Sequence, residues 1–250
     1  MVRRLSQYKT GYCIAALLLV FLSSAAFAGL DSPGRLLGEV ESKAVIDALR
    51  TQHAGIETFS AVTLQRRTSP LLAEEIRTEG TIVLKKPNFL RWDIERPSRL
   101  VIAVDGTVMW IYRPDKKEAE KRVLSDDVVA RYAMEFFSST MDLSIERLSR
   151  RFFVEINKVE DNRSKTDFSI ILTLKPRSKM AARHLDSIAI WYRGKDGSPE
   201  RLVLRSKNKG VTTTEFKEVE LNAEVGAERF ALTLPGDVLI TGLMEEDEDF

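Results

Sequence analysis

Sulfur and imidazole are almost missing from this chain, and their scarcity removes whole classes of chemistry. The 250 residues hold one cysteine, Cys13, and two histidines, His53 and His184. Cys13 falls within the first 28 residues, which read as an export signal. Arg3, Arg4 and Lys9 make a basic start, an apolar run follows from Cys13 to Leu22, and Ala26-Phe27-Ala28 puts small residues at the two positions a signal peptidase reads. Cleavage is expected before Gly29. The apolar run is too short for a comfortable membrane span. Cys13 opens that run instead of ending it, which argues against lipid attachment. A chain without residues 1–28 keeps 222 residues and no thiol, so disulfides, thiolate nucleophiles and thiolate metal sites drop out.

A surplus of one charge sign is missing too. Loss of Arg3, Arg4 and Lys9 turns a net charge of +1 into −2, and Glu245-Glu246-Asp247-Glu248-Asp249 carries −5, which leaves the body near +3. That balance does not suggest a nucleic-acid partner, which usually needs a clustered basic patch. Residues 241–250 read as a solvated, disordered acidic tail. Catalytic signatures are equally scarce: there is no Gly-x-Ser-x-Gly, no His-Glu-x-x-His and no phosphate loop. A non-enzymatic protein without metal or cofactor is expected. His53 ends a helical pattern and reads as a C-terminal charge or surface residue, and His184 as a loop residue.

What is present is period-two patterning. Ser32-Pro33 resembles an N-cap with proline at the first helical position. Leu37, Val40, Ala44 and Ala48 recur at helical spacing, so the pattern predicts a helix over about 33–53. Alternation then predicts strands near 57–67, 74–85, 89–95, 99–104, 108–113 and 117–123. Pro70, Lys86-Pro87-Asn88, Arg96-Pro97-Ser98, Asp105-Gly106 and Arg113-Pro114-Asp115 punctuate them. Connections this short make antiparallel pairs, because parallel crossovers need a dozen residues or more. Ser125 or Asp126 can cap a helix with Val129, Tyr132, Ala133 and Phe136, and Asp142 a second with Ile145 and Leu148. Strands resume near 152–158, 167–175, 185–193, 200–207, 211–221 and 229–234, with hairpin signals at Lys195-Asp196-Gly197-Ser198 and Asn208-Lys209-Gly210. One domain over 29–240 is expected, with an insert at about 125–150.

Leu90, Trp92 and Ile94 fall on one face of a strand, with Arg91, Asp93 and Glu95 on the other. Ile82, Leu84 and Ile102 can share the first face, and Trp110 and Tyr112 extend the aromatic content. Such a stripe is ordinarily the core of a sandwich or barrel. The alternative is a ligand cavity inside a curved sheet. The insert is then a lid, and Tyr132, Met134, Phe136, Phe137 and Met141 give it a soft apolar surface suited to variable apolar ligands.

Gly80-Thr81-Ile82-Val83-Leu84-Lys85-Lys86-Pro87-Asn88-Phe89-Leu90-Arg91-Trp92 resembles the outer-membrane lipoprotein carrier protein (LolA-like) family, as do Val104-Asp105-Gly106-Thr107-Val108-Met109-Trp110-Ile111-Tyr112 and Phe230-Ala231-Leu232-Thr233-Leu234-Pro235. The likeness runs over about residues 40–240. It implies a mainly β fold with an α lid: an incomplete antiparallel β-barrel of about eleven strands, with helices closing a concave apolar cavity. It further implies a monomeric periplasmic chaperone that holds the acyl chains of lipoprotein cargo. Such a carrier loads from an ATP-driven inner-membrane complex and unloads to an outer-membrane receptor. The resemblance places Ile82, Leu84, Leu90, Trp92, Ile94, Ile102, Trp110 and Tyr112 around the cavity and Val129, Tyr132, Phe136, Phe137 and Met141 on the lid. It makes Lys86 the latch, where the family usually has arginine; lysine keeps the charge without the planar fork. Two other readings use the same fold. One is a carrier of glycolipid or another lipid, for which Arg91, Arg96 and Arg99 near the mouth are candidate head-group contacts. The other is a sensor of lipoproteins.

Overall fold

Period-two alternation becomes one large open sheet. The computed structural model describes residues 34–160 and 168–241, and of Val128 and Val129 only the backbone. The expected export signal, the Ser32-Pro33 cap, most of the acidic tail and the Val129 side chain therefore lie outside the described residues. The strands are β1 (Arg35–Leu36), β2 (Thr58–Thr68), β3 (Ile76–Lys85), β4 (Phe89–Arg96), β5 (Leu100–Asp105), β6 (Val108–Arg113), β7 (Glu118–Val123), β8 (Phe152–Glu160), β9 (Phe168–Pro176), β10 (Leu185–Arg193), β11 (Pro199–Ser206), β12 (Val211–Leu221) and β13 (Leu239–Thr241). The helices are α1 (Glu39–His53), α2 (Val128–Met141) and α3 (Ile145–Ser149). Eleven of the thirteen strands have six residues or more; β1 and β13 are short additions at the two edges.

The order across the sheet is β1-β8-β9-β10-β11-β12-β2-β3-β4-β5-β6-β7-β13. Every pair is antiparallel except β13 with β7. The first half of the chain is a meander from β2 to β7, the second a meander from β8 to β12, and the β12–β2 ladder joins them. Consequently β7 and β8, consecutive among the long strands, sit near opposite edges. The segment between them, α2 and α3, has to cross from one edge to the other, and it does so over the concave face.

Register explains which residues face that concavity. Ala61, Ile82, Trp92, Ile102 and Ile111 stand directly opposite one another from β2 to β6, and so do Phe59, Leu84, Leu90, Val104 and Met109. These rows, with Ala130, Ala133 and Met134 of α2, form one buried cluster. A second cluster joins Ile46 and Leu49 of α1 to Ile170, Leu172, Leu174, Ile188, Ile190, Tyr192 and Leu204. Each fully buried side chain of this size contributes about 1.5–3 kcal/mol. Gly80 is required by the sheet's curvature: a Cβ there would stand 2.2 Å from the Asp93 carbonyl oxygen, next to a register shift. Gly106, at φ +98°, makes the β5–β6 turn, and Asp105 Oδ1 accepts from the backbone N–H of Thr107 and Val108 at 2.9 and 2.8 Å.

Several expectations are corrected. The strand at 229–234 is a 3₁₀ turn, Ala227–Phe230, followed by irregular chain. Its alternation is strand-like, but it lies against β4 and β5, which already pair with β3, with each other and with β6, so no free edge is available there. Phe230 instead caps the outer face against Phe89, ring centroids 5.3 Å apart. The first helix begins at Glu39, after Gly38, and Arg35–Leu36 pair with β8. Helix α2 is capped by Asp127, whose Oδ1 accepts from the Ala130 N–H at 2.9 Å. Ser144 occupies the N-cap position of α3, leaving the Asp142 carboxylate to other work.

Candidate functional site

The two clusters do not merge completely. At their seam, under the C-terminal half of α2, is a cavity of about 70 Å³. Phe59, Ile82, Leu84, Phe216 and Leu221 line it from one side, and Ile190, Tyr192, Pro199 and Leu202 from the other. Phe136, Phe137, Thr140 and Met141 of α2 roof it, and His53 and Ile56 close the end beside α1. The surface is almost wholly apolar.

The few polar groups in this lining are engaged in holding the roof. The Tyr192 hydroxyl donates to the Thr140 carbonyl at 3.2 Å. Burial pushes the Tyr192 hydroxyl up, so it stays a neutral donor. One nitrogen of the His53 ring, Nδ1, lies 2.9 Å from the Met141 carbonyl oxygen, and the other, Nε2, 2.7 Å from that of Gly197 in the β10–β11 hairpin. Lys86, on the β3–β4 turn, places Nζ 2.8 Å from Asp142 Oδ1, and Arg147 holds the other oxygen. Burial raises the Asp142 pKa, but the Lys86 and Arg147 hydrogen bonds and charges outweigh it and hold the carboxyl below the usual range. Thr140, Met141 and Asp142, three consecutive residues at the end of α2, are thus pinned by β10, α1 and the β3–β4 turn. The other end of α2 is tied to β7, where Arg122 pairs with Asp127.

The residues singled out in the sequence separate into three groups. Ile82 and Leu84 line the cavity, as do Phe136, Phe137 and Met141. Leu90, Trp92 and Ile102 are buried, and Ile94 partly so, in the adjoining cluster; Trp92 Nε1 donates to Thr63 Oγ1 at 3.2 Å. Trp110 and Tyr112 are on the other face of β6, because Met109 and Ile111 take the inward positions. Lys121 Nζ lies 5.7 Å from the Trp110 ring centre on that outer side. Tyr132 turns away from the cavity, under the Arg151 guanidinium at 3.6 Å. Arg91 pairs with Asp93 on the outer face and Arg96 with Glu79, so neither meets the cavity.

His53, Tyr192, Thr140 and Asp142 were not legible as a group. One signal did exist: His53 continues the Ile46–Leu49 face at helical spacing, which places it toward the core, where it is 3% exposed. No metal-binding cluster of His, Cys, Asp and Glu occurs among the described residues.

Comparison with known proteins agrees with this architecture. An outer-membrane lipoprotein carrier protein of Chromohalobacter salexigens is 25% identical over 166 residues, 66% of this chain and 71% of that one. One of Francisella tularensis subsp. novicida is 24% identical over 193 residues, 77% and 83% of the two chains. A conserved protein of Thermus thermophilus, of uncharacterised role, shares the fold at a TM-score of 0.50 and 8% identity, over 80% of this chain and 98% of that one. The family model described as outer membrane lipoprotein carrier protein LolA matches residues 54–233, and the chain belongs to that family.

Proposed function

We infer that the protein is a periplasmic carrier that holds the acyl chains of lipoproteins beneath α2 and passes them from the inner to the outer membrane. The observation that carries this reading is the apolar seam roofed by a helix whose far end is held by polar bonds. A long acyl chain is costly to expose to water, at about 0.8 kcal/mol per methylene. The closed seam, at about 70 Å³, is far below the roughly 300–1,000 Å³ of ordinary small-ligand sites. Cargo is therefore admitted by displacement of α2. Phe136, Phe137 and Met141 then rise from the sheet while still covering the cargo, and acyl methylenes enter between them and Ile82, Leu84, Ile190 and Phe216.

That exchange replaces one apolar contact with another, so neither loading nor release has to overcome the full transfer cost. The pinning bonds at Thr140, Met141 and Asp142 set the balance between the closed and loaded forms. An ATP-driven inner-membrane complex would supply the work of extraction, and an outer-membrane receptor would take the cargo. The chemistry asks for no nucleophile.

The test is mass spectrometry of what co-purifies with the full chain from the periplasm. Acylated protein is expected. Free lipid or glycolipid alone would assign the seam to a different cargo on the same fold.

A further inference from the structure

A separate feature lies at the end of the sheet away from Lys86 and the Gly197 hairpin. The β9–β10 loop (177–184), the β11–β12 turn (207–210), the β2–β3 loop (69–75) and the start of β8 gather there. The Lys207 N–H donates to the His184 carbonyl at 2.9 Å and the Arg177 N–H to that of Arg151 at 2.8 Å. Gly210 abuts Ser69. Three large apolar side chains project into solvent: Met180 is 75% exposed, Leu71 65% and Phe153 53%.

Cations share this end of the sheet. Arg150, Lys179, Arg183 and Lys209 are exposed, and Arg177 lies 4.1 Å over the Phe153 ring while donating to the Ser149 and Phe152 carbonyls. Among the described residues no carboxylate is within ion-pairing distance of these five. The nearby acids are occupied: Asp186 by Lys207, Glu155 by Lys175 and Glu75 by Arg77. Glu74, on the β2–β3 loop, is the exception. Net charge conceals this pole, since its cations come from three separate segments.

We propose that this pole docks the protein on the surface of a bilayer rich in anionic phospholipid. In Lys179-Met180-Ala181-Ala182-Arg183 an apolar tip is bracketed by two cations. That order lets Met180 enter the interfacial layer while Lys179 and Arg183 meet lipid phosphates. No shape-matched groove is needed for such a contact, because a bilayer surface is flat and fluid. Arg151, at the base of the pole, also pairs with Glu135 and stacks on Tyr132, so docking brings the lid helix beside the membrane.

The experiment is flotation of the full chain with vesicles of phosphatidylcholine alone or mixed with phosphatidylglycerol. Salt-sensitive flotation with the mixed vesicles only is expected. Lys179→Ala with Arg183→Ala should weaken partitioning about 25-fold, taking about fivefold per cation, and Met180→Asp should weaken it as well. Lys43→Ala with Arg50→Ala removes the same charge from α1 and should leave it within about twofold, as expected for screened charges outside the contact. Circular dichroism and uptake of a fluorescent fatty acid report on whether fold and seam survive in each variant. The proposal is overturned if the unaltered chain fails to float with the anionic vesicles, as it would if its partner were an acidic protein. It is equally overturned if flotation is independent of anionic lipid, or if both double variants lose it equally. Each of these results leaves the acyl-carrier reading standing, since fatty-acid uptake is measured separately.

Discussion

The ring of His53, at the end of α1, stands 2.9 Å from the carbonyl oxygen of Met141, 88 positions later at the end of α2. Its other nitrogen faces the Gly197 carbonyl at 2.7 Å. Both contacts are carbonyl acceptors, so both are hydrogen bonds at once only when both ring nitrogens carry protons. The side chain ties three elements together: α1, the lid helix and the β10–β11 hairpin. Replacement by alanine takes the donor from at least one inward carbonyl, at about 1–3 kcal/mol. His53→Ala should lower the urea midpoint and speed amide exchange at the end of α2. Unchanged exchange there would show that the ring does not hold the lid.

Lys86 is the second tie. Its bond to Asp142 is charge-assisted and partly shielded, the kind of contact that contributes about 1.5–3 kcal/mol. Lys86→Leu should therefore raise amide exchange across residues 128–141 roughly tenfold or more, with a smaller change in α1. Arginine at this position should restore protection, because its fork can meet a carboxylate in two places. A Lys86→Leu variant with native exchange throughout α2 would remove the latch role from this residue.

The same contact makes a prediction about pH. Burial pushes the Asp142 carboxyl up, but Lys86 and Arg147 hold it below its ordinary value of 3.8. A carboxylate depressed in the folded state adds stability above its unfolded pKa, and loses it as pH falls through the folded value. The Asp142 charge is thus intact throughout the neutral and mildly acid range and is lost only below about pH 3.8. Carbon-detected NMR titration of Asp142 should give a midpoint below that of a model aspartate. In Lys86→Met the midpoint should rise. An unshifted midpoint in the unaltered chain would mean the pair does not persist in solution.

Much of the sheet was legible because antiparallel strands write their alternation directly into sequence. β10 and β12 lie at 185–193 and 211–221, as the alternation predicts, and both hairpin signals mark turns. Alternation says that two faces exist without saying which is inward. Trp110 and Tyr112 carry the larger side chains of β6, yet Met109 and Ile111 are inside, because the register with Ile102 and Val104 decides. The strand expected at 229–234 failed for a related reason: pattern cannot reveal that the segment lies against β4 and β5, whose ladders are already filled. The Lys86–Asp142 pair was half visible. The family resemblance marked Lys86, but Asp142 is 56 positions later in sequence, and read alone it resembles a helix cap. The basic pole was hidden in part: Arg177, Lys179 and Arg183 lie together in one loop, but only the fold brings Arg150 and Lys209 to the same end.

The last prediction separates the seam from the core beside it. Leu90 is 0% exposed and packs in the cluster behind the cavity lining, not in the lining itself. Leu90→Ala should cost about 2–5 kcal/mol by leaving a void, while the protein that remains folded binds acyl chains normally. Phe137, on the lid, is half-buried and faces the seam. Phe137→Ser should cost less stability, since the side chain is only partly removed from water. It should weaken acyl binding by about 1–3 kcal/mol, because the lid loses an apolar contact and gains a hydroxyl. Thermal unfolding set beside displacement of a fluorescent fatty acid measures both quantities on the same samples. If Leu90→Ala weakens binding in the folded fraction as much as Phe137→Ser does, the acyl chain reaches past the seam into the first cluster. The cavity of the loaded protein would then extend to the row of Trp92 and Ile102.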